Sequence, residues 1–288
     1  MVIPDHQNAT TVRLGKALTM PSADTIPLDR RHARLTWRIR WRTALVYTWF
    51  GLYLFVLAVV LGPLLWLAGA TWDPQRRLAR RWTRAFYRHA MRGFCGSRMV
   101  IENLPGQAIP EPCIVVANHQ SAIDILLLFQ LSPDARCWAK DWPFQKPLLG
   151  WLMRLCGHLH VDDPNVLQQA AESIRQGVGI YVFPEGTRSR SGRLGRFHDG
   201  AFLLAVQTGV PIVPVAICGS GRCMTPGYVA IIDAPISVRP LGILYADPAV
   251  PKAHLVLKRQ THGLIAAALE TDATGTTTDD HKSPIVSK

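Results

Sequence analysis

Residues 113–129 read CIVVANHQSAIDILLLF, and the way this stretch divides decides the fold. Cys113–Ala117 is a short apolar run with no polar alternation, the pattern of a strand buried on both faces. Asn118 and His119 end it, and Ser121 offers an N-cap for a helix over Ala122–Leu131. Residues 179–202, GIYVFPEGTRSRSGRLGRFHDGAF, repeat the arrangement. There a strand over Gly179–Phe183 ends in the turn Pro184–Arg188, and a helix follows over Gly200–Gln207. Working outward, β-rich runs occur at Met99–Glu102, Leu159–Asp162, Ile212–Ile217, Tyr228–Ile232 and Ile236–Arg239. Helical runs occur at Lys146–Cys156, Val166–Gln176 and Lys252–Glu270. This alternation predicts an α/β fold, a largely parallel sheet covered by helices.

In such sheets the loops at the carboxyl ends of the strands carry the ligand-handling groups. His119 falls there, and Asp124 follows five residues later, in the first turn of the next helix. A carboxylate on one imidazole nitrogen fixes the tautomer and leaves the other nitrogen free as a base. From the residues alone a second reading stays open, that of a loop histidine beside a helix-capping acid. The loop Glu185, Gly186, Thr187, Arg188 supplies backbone donors, a hydroxyl and a guanidinium, a set suited to a phosphate. Arg190 and Arg193 read as a solvated basic face beside it. His158, His160 and His198 are assigned structural or surface roles.

The 288-residue chain carries a formal net charge of +12, and all of it lies in the first hundred residues. That segment holds 16 of the 32 Lys and Arg but 4 of the 20 Asp and Glu, whereas residues 101–288 sum to zero. A basic leader suits an anionic surface, and the run TALVYTWFGLYLFVLAVVLGPLLWLAGATW (Thr43–Trp72), free of charge throughout, selects a bilayer over nucleic acid. A continuous helix over the run would be roughly 45 Å long, beyond the ~30 Å hydrocarbon core. Gly62-Pro63 is expected to break it. Arg30–Arg42 and Arg76–Arg88 flank the run with equal numbers of arginines. A single tilted span and a re-entrant hairpin both fit, and the equal flanks favour the hairpin. The expected organisation is a disordered leader (1–29), a basic and hydrophobic membrane-anchoring segment (30–95), an enzymatic domain (96–270) and a disordered tail (271–288). The six cysteines form no CxxC pair, which argues against a zinc site or a disulfide framework.

NHQSAID and FPEGTRS resemble the His-x4-Asp box and the second signature box of the glycerolipid acyltransferases. Among these the bacterial 1-acylglycerol-3-phosphate acyltransferases are the most similar. The resemblance runs from about Arg98 to Ile217 and includes VPIVPVAI (Val210–Ile217), similar to a proline-containing block of that family. It implies that His119 and Asp124 are catalytic and that Lys140, Glu185, Gly186, Thr187 and Arg188 bind substrate. The implied reaction moves a fatty-acyl chain from acyl-CoA or acyl carrier protein to lysophosphatidate, at the cytoplasmic face of the inner membrane. It implies no cofactor and no metal. Two positions depart from the family pattern. Asp162-Asp163 stands where the family usually has Asp-Arg, and His198-Asp199 precedes Gly200-Ala201 where a lysine is common. These departures keep another lysophospholipid, or a lyso-ornithine lipid, open as acceptor. A non-catalytic membrane module is disfavoured by the retained His119 and Asp124, and a lipase by the lack of a GxSxG elbow.

Overall fold

The computed structural model describes residues 37–95, 99–104, 106–131, 134–189, 191–224, 231 and 234–274. The expected disordered leader, most of the expected tail and the strand expected at Tyr228–Ile232, Ile231 excepted, lie outside the described residues.

Seven strands form one sheet in the order β1-β7-β6-β2-β5-β3-β4. They are β1 (Met99–Ile101), β2 (Ile114–Ala117), β3 (Ala135–Ala139), β4 (Leu159–His160), β5 (Gly179–Val182), β6 (Ile212–Cys218) and β7 (Ile236–Pro240). The five strands from β6 to β4 are mutually parallel. Only β6 and β7 pair antiparallel, so β1 and β7 run against the other five. The sheet is therefore largely parallel, as the alternating pattern implied. β2 lies between β6 and β5, and all four of its residues are buried. The unbroken apolar sequence Ile114–Ala117 follows from that position, because both faces of β2 are covered.

Alternation along each strand divides the core into two layers. Val115, Ala117, Tyr181 and Val215 face one side, where they meet Tyr87 and Met91 of α3 (Arg77–Cys95) and Leu127 and Leu128 of α4 (Asp124–Leu128). Ile114, Val116, Ile180 and Ile212 face the other, against α7 (Val166–Arg175), α8 (Gly200–Thr208) and α10 (Ala253–Thr274). The last of these runs beyond the expected end at Glu270.

Two short helices, α5 (Asp141–Phe144) and α6 (Pro147–Leu155), link β3 to β4, and α9 (Ser220–Cys223) follows β6. β3 itself was not legible, since Arg136 interrupts its apolar run.

The apolar segment departs from expectation. α1 (Trp37–Phe55), a π-helical turn (Val56–Leu61) and α2 (Gly62–Thr71) form one unbroken helix, and the chain reverses only afterwards, between Trp72 and Arg76. Pro63 does not end the helix because the wide turn just before it loosens the carbonyl ladder with which its ring would collide. Gly62 serves packing instead, since a Cβ there would lie 1.8 Å from the Trp151 ring of α6. The hairpin that does form pairs this long helix with α3. Phe50 stacks on Tyr87, and Tyr53 packs against Phe86. Leu57, Ala58 and Leu65 pack with Ala79, Leu152 and Leu155 in a third cluster that seats the hairpin on α6.

Arg80 fastens the same hairpin to the sheet. Its guanidinium, 5% exposed, grips Asp134 at 2.8 and 2.9 Å and also donates to the Gln75 and Cys156 carbonyls. Four donor contacts satisfy a cation that would otherwise be costly to bury.

Candidate active site

The carboxyl ends of β2, β5 and β3 lie side by side, so the loops after Ala117, Val182 and Ala139 share one edge. Asn118 leaves β2 first. It is buried, its Nδ2 donates to the Ile217 carbonyl at 2.9 Å, and the Ile217 amide donates back to Oδ1 at 2.7 Å. This two-way clamp on β6 fixes where the chain turns, and so where His119 begins.

His119 Nδ1 lies 2.8 Å from Asp124 Oδ2. The same oxygen accepts the backbone amides of Gln120 and Ser121, each at 2.7 Å. Asp124 is fully buried, and its other oxygen, Oδ1, is buried without a partner. A carboxylate that accepts three donors on one oxygen holds the imidazole as the Nδ1–H tautomer and leaves the lone pair on Nε2. The ring stacks on Phe183 at 4.2 Å, which sets its plane. The expected capping role of Ser121 is not met. Its hydroxyl donates to the Met224 carbonyl at 2.9 Å, tying the histidine loop to the end of α9, while Asp124 itself opens α4.

Glu185 lies directly behind His119. Its Oε1 accepts the His119 amide and its Oε2 the Gly195 amide, both at 2.8 Å. Burial raises its pKa above the ordinary carboxylate range, against the lowering effect of these two hydrogen bonds. Glu185 is thus engaged with backbone, whereas the sequence placed it among the substrate-binding groups. The Gly186 amide is likewise not offered to a ligand. It donates to the Phe183 carbonyl at 3.1 Å and closes the turn, at a φ of +66° that glycine adopts without strain. The Ser189 amide donates to the His119 carbonyl at 2.7 Å, so the two loops are knitted on both sides of the histidine.

Thr187, Arg188 and Lys140 are exposed at the same edge, Lys140 at the carboxyl end of β3, and Arg196 is exposed after Gly195. These groups are presented to solvent rather than spent on the fold. Asp163, which stands where the family usually has arginine, is spent on it. Its oxygens accept the Asn165 amide at 2.8 Å and the Gln169 side chain at 2.9 Å, closing the turn into α7, and these bonds lower its pKa.

Cys113, Cys137, Cys156, Cys218 and Cys223 are all buried. Burial pushes Cys113 up to about 12 and Cys156 and Cys218 up to about 11. None of these three is poised as a thiolate nucleophile. His158 accepts the Cys137 amide on Nδ1, and burial lowers it to about 3, so it stays neutral as a structural group. His160 Nε2 pairs with Asp141 at 2.9 Å. Sequence reasoning missed Asn118, Phe183 and Gly195 as parts of the site, because Asn118 and Phe183 act on residues distant in the chain and Gly195 acts through a backbone amide that no side-chain pattern marks.

A histidine held by a buried carboxylate thus sits at the edge of a mostly parallel sheet, with exposed cations on the neighbouring loops. Residues 100–218 match the family model described as Acyltransferase. A chloroplastic 1-acyl-sn-glycerol-3-phosphate acyltransferase of Arabidopsis thaliana is 34% identical over 196 residues, covering 63% of this chain and 51% of that protein. A lyso-ornithine lipid O-acyltransferase of Pseudomonas aeruginosa is 32% identical over 163 residues, covering 52% and 57%. The chain spans about half the length of the curated relatives it matches. The crystal structure of the 1-acyl-sn-glycerophosphate acyltransferase PlsC from Thermotoga maritima superposes with a TM-score of 0.68 at 23% identity, over 84% of this chain and all of that one. It shares the fold.

Proposed function

We propose that this protein transfers a fatty-acyl chain from a thioester donor, acyl-CoA or acyl carrier protein, to the free hydroxyl of 1-acyl-glycerol-3-phosphate. The observation that carries the reading is Asp124 Oδ2, which holds His119 Nδ1 and so leaves Nε2 as the basic nitrogen of the ring. His119 Nε2 takes the proton of the acceptor hydroxyl as its oxygen attacks the thioester carbonyl. The C–S bond then breaks, and the proton passes from His119 to the leaving thiolate. No acyl-enzyme forms in this scheme, consistent with the buried, high-pKa thiols. Arg188 and Lys140 bind the acceptor's phosphate, and the reaction as written uses no metal or redox cofactor.

The membrane supplies the acceptor. One helix, Ile39–Thr71, is long and apolar enough to cross a bilayer, and only 22% of its most apolar stretch is buried. Beside its middle runs α3, whose Arg81 and Arg88 are exposed. Those arginines favour a hairpin lying in the headgroup region, with α1 buried among acyl chains, over a full crossing with α3 drawn into hydrocarbon. The domain then sits on the cytoplasmic face of the inner membrane. Two features favour a second reading, a lyso-ornithine lipid acceptor. One is the similarity to the Pseudomonas aeruginosa protein, and the other is the acid at Asp163. The test is acyl transfer by the purified protein in vesicles, with lysophosphatidate, lysophosphatidylethanolamine and lyso-ornithine lipid offered with each thioester donor. Product from lysophosphatidate alone supports the first reading. Product from lyso-ornithine lipid without lysophosphatidate turnover overturns it.

A further inference from the structure

The match to the family model ends at residue 218, yet the site is not closed until α10, some forty residues later. His254, Lys258 and His262 recur every fourth residue along α10 and so share one face. That face meets the segment returning from the Glu185 loop. Lys258 Nζ pairs with Asp199 Oδ1, and this hydrogen bond, helped by the nearby charges of Lys258 and His254, lowers the Asp199 pKa. One turn on, His262 Nε2 lies 3.2 Å from the Gly195 carbonyl, with its ring edge-on to Phe197 at 4.8 Å. The same Gly195 donates its amide to Glu185 Oε2, and Glu185 Oε1 receives the His119 amide. A continuous path of hydrogen bonds thus runs from His262 through Gly195 and Glu185 to the backbone of His119. The path allows little slack, because a Cβ on Gly195 would lie 2.8 Å from Glu185 Oε2.

We propose that His262 is a positioning residue, which, by donating to the Gly195 carbonyl, fixes the Glu185 carboxylate and through it the placement of His119. The proposal rests on the acyl-transfer reading of His119 for its kinetic consequence, but the hydrogen-bond path is independent of which acceptor is used. Removing the donor frees one end of the Gly195 peptide, so Glu185 no longer holds the His119 amide in one place. The substrate-facing cations stay where they are. The effect therefore falls on kcat rather than on either KM.

The experiment compares His262→Phe, which keeps a ring against Phe197 but has no donor, with His262→Gln, whose amide can still donate. The full chain is used in vesicles. Hydrogen–deuterium exchange is followed in peptides covering residues 185–199 and 114–121, alongside kcat and both KM values. The Phe variant is expected to exchange faster in both peptides and to lose about three- to ten-fold in kcat, the size of one net hydrogen bond. Its KM values should stay within about two-fold. The Gln variant should recover most of both effects. Wild-type exchange in the Phe variant overturns the proposal, as does faster exchange with unchanged kcat, or equal damage in Phe and Gln. Should the Phe variant melt before assay, Lys258→Met releases the neighbouring end of the same segment, and it should also quicken exchange there. If the wild type acylates no lysolipid, the acyl-transfer reading fails, and the exchange data still decide whether His262 holds Gly195.

Discussion

Asp124→Asn separates two roles that a carboxylate plays for a histidine, because three donors converge on one oxygen. His119 Nδ1 and the amides of Gln120 and Ser121 all point at Oδ2, at 2.7–2.8 Å. An asparagine that keeps its carbonyl at that position still accepts all three, so the tautomer and the ring plane survive. Its amide nitrogen then occupies the place of Oδ1, which is buried and has no partner. Two costs follow. An unsatisfied buried donor lowers stability by about 1–3 kcal/mol. Loss of the negative charge turns charge-assisted hydrogen bonds into neutral ones, about 1–2 kcal/mol less stabilisation of the imidazolium that forms as the acceptor is deprotonated. That corresponds to roughly a five- to thirty-fold fall in kcat. His119→Ala removes the base itself and should cost ~10²–10⁴-fold. The assay is thioester consumption measured as thiol release, with phosphatidate formation counted in parallel and thermal unfolding recorded for each variant. An Asn variant as inactive as His119→Ala would refute the idea that the amide preserves geometry. An Asn variant at wild-type rate would refute any role for the charge.

Two further outcomes follow from the same edge. Arg188→Lys keeps the charge but loses the paired donors that match a phosphate, so KM for lysophosphatidate should rise about ten-fold or more while KM for the thioester changes little. A rise confined to the thioester would move Arg188 to the donor side. Glu185 has its pKa raised by burial, so between its unfolded and folded values the folded state binds more protons than the unfolded one. Its contribution to stability is therefore fully present below the ordinary glutamate value and declines as pH rises through the raised one. Measured by melting from pH 4 to 8, the stability of wild type relative to Glu185→Gln should shrink with rising pH. A difference that widens instead would show that the two amides it accepts outweigh its burial.

The pairing of His119 with Asp124 was legible because its parts are local. Five residues separate His119 from Asp124, and a strand followed by a helix brings them together in only one way. The sheet was legible for a similar reason, since a two-sided strand such as Ile114–Ala117 leaves no polar face to confuse with a helix. Glu185 was expected to meet substrate, and its carboxylate instead accepts two backbone amides. Nothing in FPEGTRS says that its carboxylate will turn inward to a backbone amide 66 residues earlier rather than outward to a ligand. Asn118 was passed over because its partner, Ile217, lies 99 residues away. Gly62-Pro63 misled for another reason. The pair reads as a helix stop by local sterics, and the relief came from a π-helical turn and from a tryptophan on another element, neither of which has a sequence signature.

These misses share a cause. A short signature reports the groups that face the substrate, since their spacing follows from one strand and its loop. It is silent on what holds those groups still, which comes from wherever the fold happens to bring chain alongside. In this protein the holding groups lie on both sides of the signature. Arg80 of α3 secures the start of β3 through Asp134, and β3 presents Lys140. His262 and Lys258 of α10 secure the segment that Glu185 grips. The i, i+4 spacing of His254, Lys258 and His262 was visible in the sequence but had no meaning until the facing loop was known. Substrate-facing residues should therefore respond to mutation through KM or through the chemistry of one proton. Residues of α3 and α10 should respond through kcat and through the exchange of distant amides.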